Sequence, residues 1–302
     1  MQRCRSAVRW GLVVSLICWS VRAAAEKPDV AARLKEHGYE SVALRRTGQN
    51  HWFIFGRLDG RRRSCLVDTG WSYTAVSTNT ADRQAATNRI DRLELGELVL
   101  TNVPVHIGGM QVNGQPTAYD VVLGCDLLMA YQAVIDFRNS RLYLRMNKAT
   151  SDDREGLGVA FRAGGWKEIE MQFRSPPALT SQATINATTL ELLLDSGAMW
   201  SCLDDQLARE AGLQKAASAN RLSGPGANGR RSFAVADLKI WSLGSVPMAE
   251  RTFAVLDLSD WGLGSNGKLF PQVKGILGGA ELVANRAWMD CGNLKLWVKP
   301  AR

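Results

Sequence analysis

Apolar positions along this chain recur mostly at every second residue, in short runs bounded by turn residues. Residues 168–173, EIEMQF, alternate cleanly; residues 51–55, HWFIF, 141–144, RLYL, and 295–298, KLWV, read as strands with at least one buried face. Residues 93–96, LELG, lead almost directly into 99–105, VLTNVPV, and alternation returns from Phe233 to Trp241. Helical periodicity is scarce. It is confined to Asp29 to His37 and Asp204 to Ala211, the second opening on acids that suit a helix start. The pattern predicts a mostly β fold.

The pattern is also written twice. Shifting residues 123–144 by 154 positions lands them on 277–298, with Leu, Gly, Leu, Ala, Ala, Asp, Asn and Leu identical in place. Both copies predict a closing hairpin, with Asp136 and Asp290 as turn-formers ahead of Asn139 and Asn293. Upstream, Asp59-Gly60 and Asn186-Ala187 are predicted hairpin turns, each nine residues before a further acid. Those acids end apolar runs: Cys65-Leu66-Val67 runs into Asp68-Thr69-Gly70, and Leu192-Leu193-Leu194 into Asp195-Ser196-Gly197.

A carboxylate delivered by an apolar strand to a partly buried place ionises at a cost unless its charge is shared. Two of them in equivalent places of two halves can meet across a pseudo-two-fold axis and hold one proton between them, a general base and a general acid at once. Gly70 and Gly197 let backbone N–H groups approach the acids, and the hydroxyls of Thr69 and Ser196 can brace the opposite loop. One Asp-Thr-Gly is a weak signal; its repetition is the strong one. His37, His51 and His106 are scattered, with no serine or cysteine motif beside them, which leaves a serine or cysteine hydrolase without support.

At these residues the sequence resembles the aspartic peptidases, most closely the retropepsin-like group, in a bilobal form with both halves in one chain. Val122-Leu123-Gly124 and Ile276-Leu277-Gly278 match that family's apolar-Gly strands. The resemblance spans residues 40–146 and 165–299. It implies the acid-protease fold of two pseudo-symmetric β-barrel-like lobes, a peptide cleft between them, Asp68 and Asp195 as the catalytic dyad, Gly124 and Gly278 as supports of the acid loops, and no cofactor or metal. The 27 extra residues between acid and apolar-Gly element in the second half include Ser223, Gly224, Pro225, Gly226, Ala227, Asn228 and Gly229, a hairpin tip that looks like the family's flap. The first half offers only Gly108-Gly109, so a single flap is expected. Trp71 departs from the family, which has a small residue there; Trp71 and Trp200 are candidate subsite walls.

Composition adds limits. With 302 residues, 46% of them hydrophobic, the chain can build two cores. Residues 1–25, with Arg3, Arg5 and Arg9 ahead of an apolar stretch over 10–21 and Ala23-Ala24-Ala25 behind it, read as a signal peptide too short to span a membrane. Its removal lowers the net charge from +8 to +4. The expected product is an exported, periplasmic or secreted monomer acting on a peptide or protein, free of the membrane, with lobes over residues 26–150 and 151–302 that meet in the polar stretch 147–154. Arg61-Arg62-Arg63 and Arg230-Arg231 form no long aromatic-interleaved stripe, so they read as solvated turn residues rather than a nucleic-acid surface. Cys65, Cys125, Cys202 and Cys291 allow three disulfide pairings or none. The alternative function is a catalytically silent module of the same fold that holds a peptide or envelope polymer.

Overall fold

The computed structural model describes residues 29–81, 87–108, 111–112, 115–116, 118–146, 151–213, 222–226 and 229–300. The signal-peptide expectation therefore lies outside the described residues. Among the described residues thirteen strands belong to the first half: β1 (Tyr39–Ala43), β2 (Arg45–Arg46), β3 (Trp52–Leu58), β4 (Arg61–Val67), β5 (Ala75–Val76), β6 (Arg89–Leu95), β7 (Leu98–Pro104), β8 (His106–Ile107), β9 (Gln111–Val112), β10 (Gln115–Pro116), β11 (Val121–Leu123), β12 (Val134–Asp136) and β13 (Arg141–Arg145). The second half contributes β14 (Lys167–Glu170), β15 (Gln172–Arg174), β16 (Ala178–Ile185), β17 (Thr188–Leu194), β18 (Cys202–Asp204), β19 (Leu222–Gly226), β20 (Gly229–Leu238), β21 (Trp241–Leu243), β22 (Val246–Pro247), β23 (Arg251–Leu256), β24 (Val273–Leu277), β25 (Trp288–Asp290) and β26 (Lys295–Val298).

Pairing makes the two halves equivalent strand by strand. The first lobe orders its sheet β7-β6-β3-β4-β11-β5-β8, and the second orders its own β22-β21-β16-β17-β24-β18-β23 before adding β20 and β19. Six further strands form one sheet shared by both halves, β1-β13-β12-β25-β26-β14, which reads the same from either end under the same correspondence; β2 and β15 flank β3 and β16, and β9 pairs with β10 alone. Its centre is the antiparallel pair β12–β25, with Ile135 opposite Met289. The helices Val30–Glu36 and Ser151–Ala163 lie at this shared sheet, where Leu34, Phe161, Trp288 and Trp297 form a buried cluster with Tyr39 and Tyr143. Phe161 and Trp297 stack at 4.7 Å between ring centroids.

Local chemistry explains most of the predicted elements. Both residues of each predicted hairpin turn have positive φ, Asp59 and Gly60 between β3 and β4, Asn186 and Ala187 between β16 and β17, as a two-residue hairpin of the observed twist requires. Asp136 accepts bonds from the Arg138 and Asn139 backbones, and Asp290 from that of Asn293, at 3.0 Å each, so both acids close turns. Asp29 and Asp204 cap the helices Val30–Glu36 and Asp205–Glu210. The polar stretch 147–154 is not all linker, because the helix Ser151–Ala163 begins inside it. The run from Phe233 to Trp241 is broken between β20 and β21 rather than continuous.

Candidate active site

Parallel pairing sets both acids in the same surroundings. β11 runs beside β4 with Leu123 opposite Val67, and β24 beside β17 with Leu277 opposite Leu194. The next amide in each case bonds across the pair, Asp68 N to Leu123 O at 3.1 Å and Asp195 N to Leu277 O at 3.0 Å. The chain then turns back over its own carboxylate. Asp68 Oδ1 accepts from Gly70 N (2.9 Å) and Trp71 N (3.1 Å), and Asp195 Oδ1 accepts from Gly197 N (2.7 Å) and Ala198 N (3.0 Å).

The two loops are cross-braced. Thr69 Oγ1 donates to Leu194 O (2.7 Å) and accepts from Ser196 N (3.0 Å), while Ser196 Oγ donates to Val67 O (2.8 Å) and accepts from Thr69 N (3.0 Å). Both hydroxyl residues are fully buried. A Cβ on Gly70 would overlap the Asp195 carboxylate, and one on Gly197 would overlap that of Asp68, so only glycine admits this approach. The two carboxyl groups hydrogen-bond each other.

Burial raises the carboxyl of Asp68 well above its ordinary value, reinforced by the charge of Asp195 and by the hydrogen bond between them. Asp195 is also raised by burial, but the bond from Asp68 and the Gly197 and Ala198 amides hold it back. Both carboxyls are therefore raised, and the pair holds one proton between them.

Gly124 and Gly278 stand where a side chain would strike backbone of the acid loops, Tyr73-Thr74 in one case and Trp200 in the other. A second tier of support was not anticipated from the sequence. Thr74 Oγ1 donates to Asp126 Oδ1 (2.8 Å) and accepts from Gly124 N (3.1 Å); Ser201 Oγ donates to Glu281 Oε2 (2.6 Å) and accepts from Gly278 N (2.9 Å). Thr74 and Ser201 each lie six residues after an acid, a signal the repeat contains. The carboxylates are harder to find, since Asp126 aligns with Ala280 and the second half supplies its acid one position later on a longer side chain.

Trp71 is half-buried, packed against Leu66, Ala75 and Val122 together with Tyr119, while Trp200 is half-buried at the second acid loop. Ser223, Gly224, Pro225 and Gly226 lie on β19 and Gly229 opens β20, paired from Leu222–Phe233 to Gly226–Gly229; Ala227 and Asn228 at the tip lie outside the described residues. The hairpin falls between β18 and β21, where the first half has no counterpart among the described residues. The first half nevertheless has its own added hairpin, β9–β10, at a different point in the order, between β8 and β11. This hairpin lies later in the chain than Gly108-Gly109, the pair that the sequence offers as the first half's candidate tip. The four described cysteines are free and buried, with burial pushing the Cys65 and Cys125 thiols up to about 12. Among the described residues no group of His, Cys, Asp and Glu is placed to hold a metal, and no helix is long and apolar enough to cross a membrane.

Residues 181–280 match a family profile described as aspartyl protease. The chain has the acid-protease fold. Two solved structures are similar to it: basic 7S globulin from soybean, at 9% identity, TM-score 0.46, covering 87% of this chain and 95% of that one, and a retropepsin-like aspartic protease from Rickettsia conorii, at 19% identity, TM-score 0.27, covering 35% of this chain and 90% of that one. No curated protein matches the chain. The profile covers the Asp195 loop and the apolar-Gly strand of the second half; Asp68 lies outside it and is tied to Asp195 by the geometry above.

Proposed function

We propose that this protein is an exported aspartic endopeptidase whose dyad is Asp68 and Asp195. The observation that carries the reading is the contact between two carboxyl groups delivered by equivalent strands and locked by the reciprocal Thr69–Ser196 braces. A water between the acids would lose a proton to Asp195 as its oxygen attacks the peptide carbonyl, while Asp68 gives its proton to the carbonyl oxygen. The resulting gem-diol collapses when Asp195 returns the proton to the departing nitrogen and Asp68 recovers one from a hydroxyl. The C–N bond breaks, and a carboxylic acid and an amine leave. The β19–β20 hairpin is the proposed flap, Trp71 and Trp200 are proposed subsite walls, and no cofactor takes part.

One feature favours the rival reading of a silent binding module, namely the bulk of Trp71 beside Asp68. Incubating the mature protein with a diverse peptide library across pH, with and without a statine-type inhibitor, separates the two. Cleavage abolished by the inhibitor is expected; a protein that binds peptides and cleaves none would leave the silent module.

A further inference from the structure

We propose that the outer face of the β3–β4 hairpin is a docking track for an acidic segment of the substrate, about six residues from the scissile bond; this rests on the peptidase reading above. Arg62, Ser64 and Leu66 share one face of β4, and Phe53 and Phe55 are their neighbours on β3, with Phe53 opposite Leu66 and Phe55 opposite Ser64. Arg45 on β2 pairs with Phe53. The face is continuous with the acid loop. Leu66 packs in the cluster that holds Trp71 and Tyr119, Tyr119 meets Phe53 at 5.8 Å, and Phe53 meets Phe55 at 5.4 Å.

The track ends in exposed positive charge. The guanidinium groups of Arg45 and Arg62 lie over the Phe55 ring, 5.3 and 4.2 Å from its centroid, and Phe55 is itself 40% exposed. Other arginines find carboxylates: Arg92 bonds Glu94 at 2.9 Å, Arg174 bonds Glu191 at 2.8 Å, and Arg63 faces Asp120, an acid already engaged by Ser64 Oγ of the track at 2.8 Å. Arg45 and Arg62 have no carboxylate partner among the described residues. Holding two cations over one exposed ring keeps them in place and leaves their N–H donors for an incoming acid. From Arg62 to Asp68 is six strand residues, roughly 20 Å at about 3.3 Å each, a span that an extended peptide covers with the same number. Arg62 is solvated, as the sequence suggests, but it lies on strand β4 rather than in a turn.

The test uses fluorogenic peptides sharing one neutral core: the core alone, the core extended by glutamates five to seven residues from the scissile bond on either side, and the same extensions in glutamine. Wild type and the Arg45→Gln/Arg62→Gln double variant are compared. Glutamate on one side is expected to lower KM about tenfold relative to glutamine with kcat unchanged, and the advantage should vanish in the double variant and in about 1 M salt. Core-peptide kinetics should be the same for both proteins. Equal KM for the two extensions, or a glutamate preference that survives in the double variant, would overturn the track while leaving the peptidase reading intact. A binding arm measures fluorescence anisotropy of labelled peptides on full-length Asp195→Asn with and without the two arginine substitutions. If no peptide is cleaved, the peptidase reading fails, yet arginine-dependent binding of the glutamate peptide would still uphold the track, and its absence would sink it. Tighter binding of an oligothymidine than of the glutamate peptide would overturn the assignment to a peptide.

Discussion

A methyl group on Gly197 would take the space of the Asp68 carboxylate, and the mirror statement holds for Gly70 and Asp195, so the site is defined at the scale of single atoms. Asp68→Asn and Asp195→Asn should each lower turnover by at least 10²–10⁴-fold, the usual worth of general acid–base assistance, and the double variant should be little worse, because the acids act as one unit. Steady-state assays of the three variants check this; additive losses would contradict a shared proton. The raised carboxyls also set the pH response. Activity should rise as the pair sheds its first proton and fall as it sheds the second, with both limbs displaced upward by burial. Stability follows the same proton. Folded Asp68 keeps it above the unfolded value of about 3.9, so that contribution is full below this pH and is lost as pH rises through the folded value. Melting curves should therefore show Asp68→Asn gaining on wild type more at pH 7 than at pH 3, and an equal difference at both would refute the assignment. Thr69→Val removes one hydroxyl from the buried brace and leaves Ser196 N and Leu194 O without it, at a cost of roughly 1–3 kcal/mol, about 2–4 °C in Tm for each. Thr69→Ser should recover most of that loss.

Elements show where sequence was legible. The Asp59-Gly60 and Asn186-Ala187 turns, the strands around them and both acid loops could be read because each rests on local chemistry: a positive-φ turn, a period of two, an acid where apolar residues stop. The short helices Cys125–Ala130 and Gly279–Ala284 escaped because each follows a buried strand without a side-chain cap at Gly124 or Gly278, so apolar strand and apolar helix run together. Thr74 with Asp126 and Ser201 with Glu281 escaped because each pair joins residues 52 or 80 positions apart. The added hairpin of the second half has a separable role. β20 remains anchored to β23 from Ala234 to Leu238, so replacing residues 222–232 by a short Gly-Ser linker should keep the fold. It should lower kcat/KM for peptides by about 100-fold with Tm within a few degrees, in keeping with a lid that excludes water and holds substrate. Unchanged kinetics would remove the flap role.

At the scale of the whole molecule, the shared sheet decides how the halves behave. Three strands from each half meet at β12–β25, and the acid loops depend on each other's backbones, so neither half has a complete site or the whole shared sheet alone. Calorimetry should show one unfolding transition; two resolved peaks would mean that the lobes are thermodynamically independent. The correspondence of strands makes the seam pseudo-symmetric. With Ile135 facing Met289 at its centre, the β12–β25 seam has the geometry of an isologous contact, one strand meeting its counterpart antiparallel. Cut free of its partner, the first half would expose β12 as an open edge and could satisfy it by pairing with a second copy of itself, bringing two Asp68 loops face to face. Because both halves lie in one chain they can differ, with the long hairpin on one and the arginine-capped aromatic track on the other, an asymmetry that no pair of identical subunits could encode.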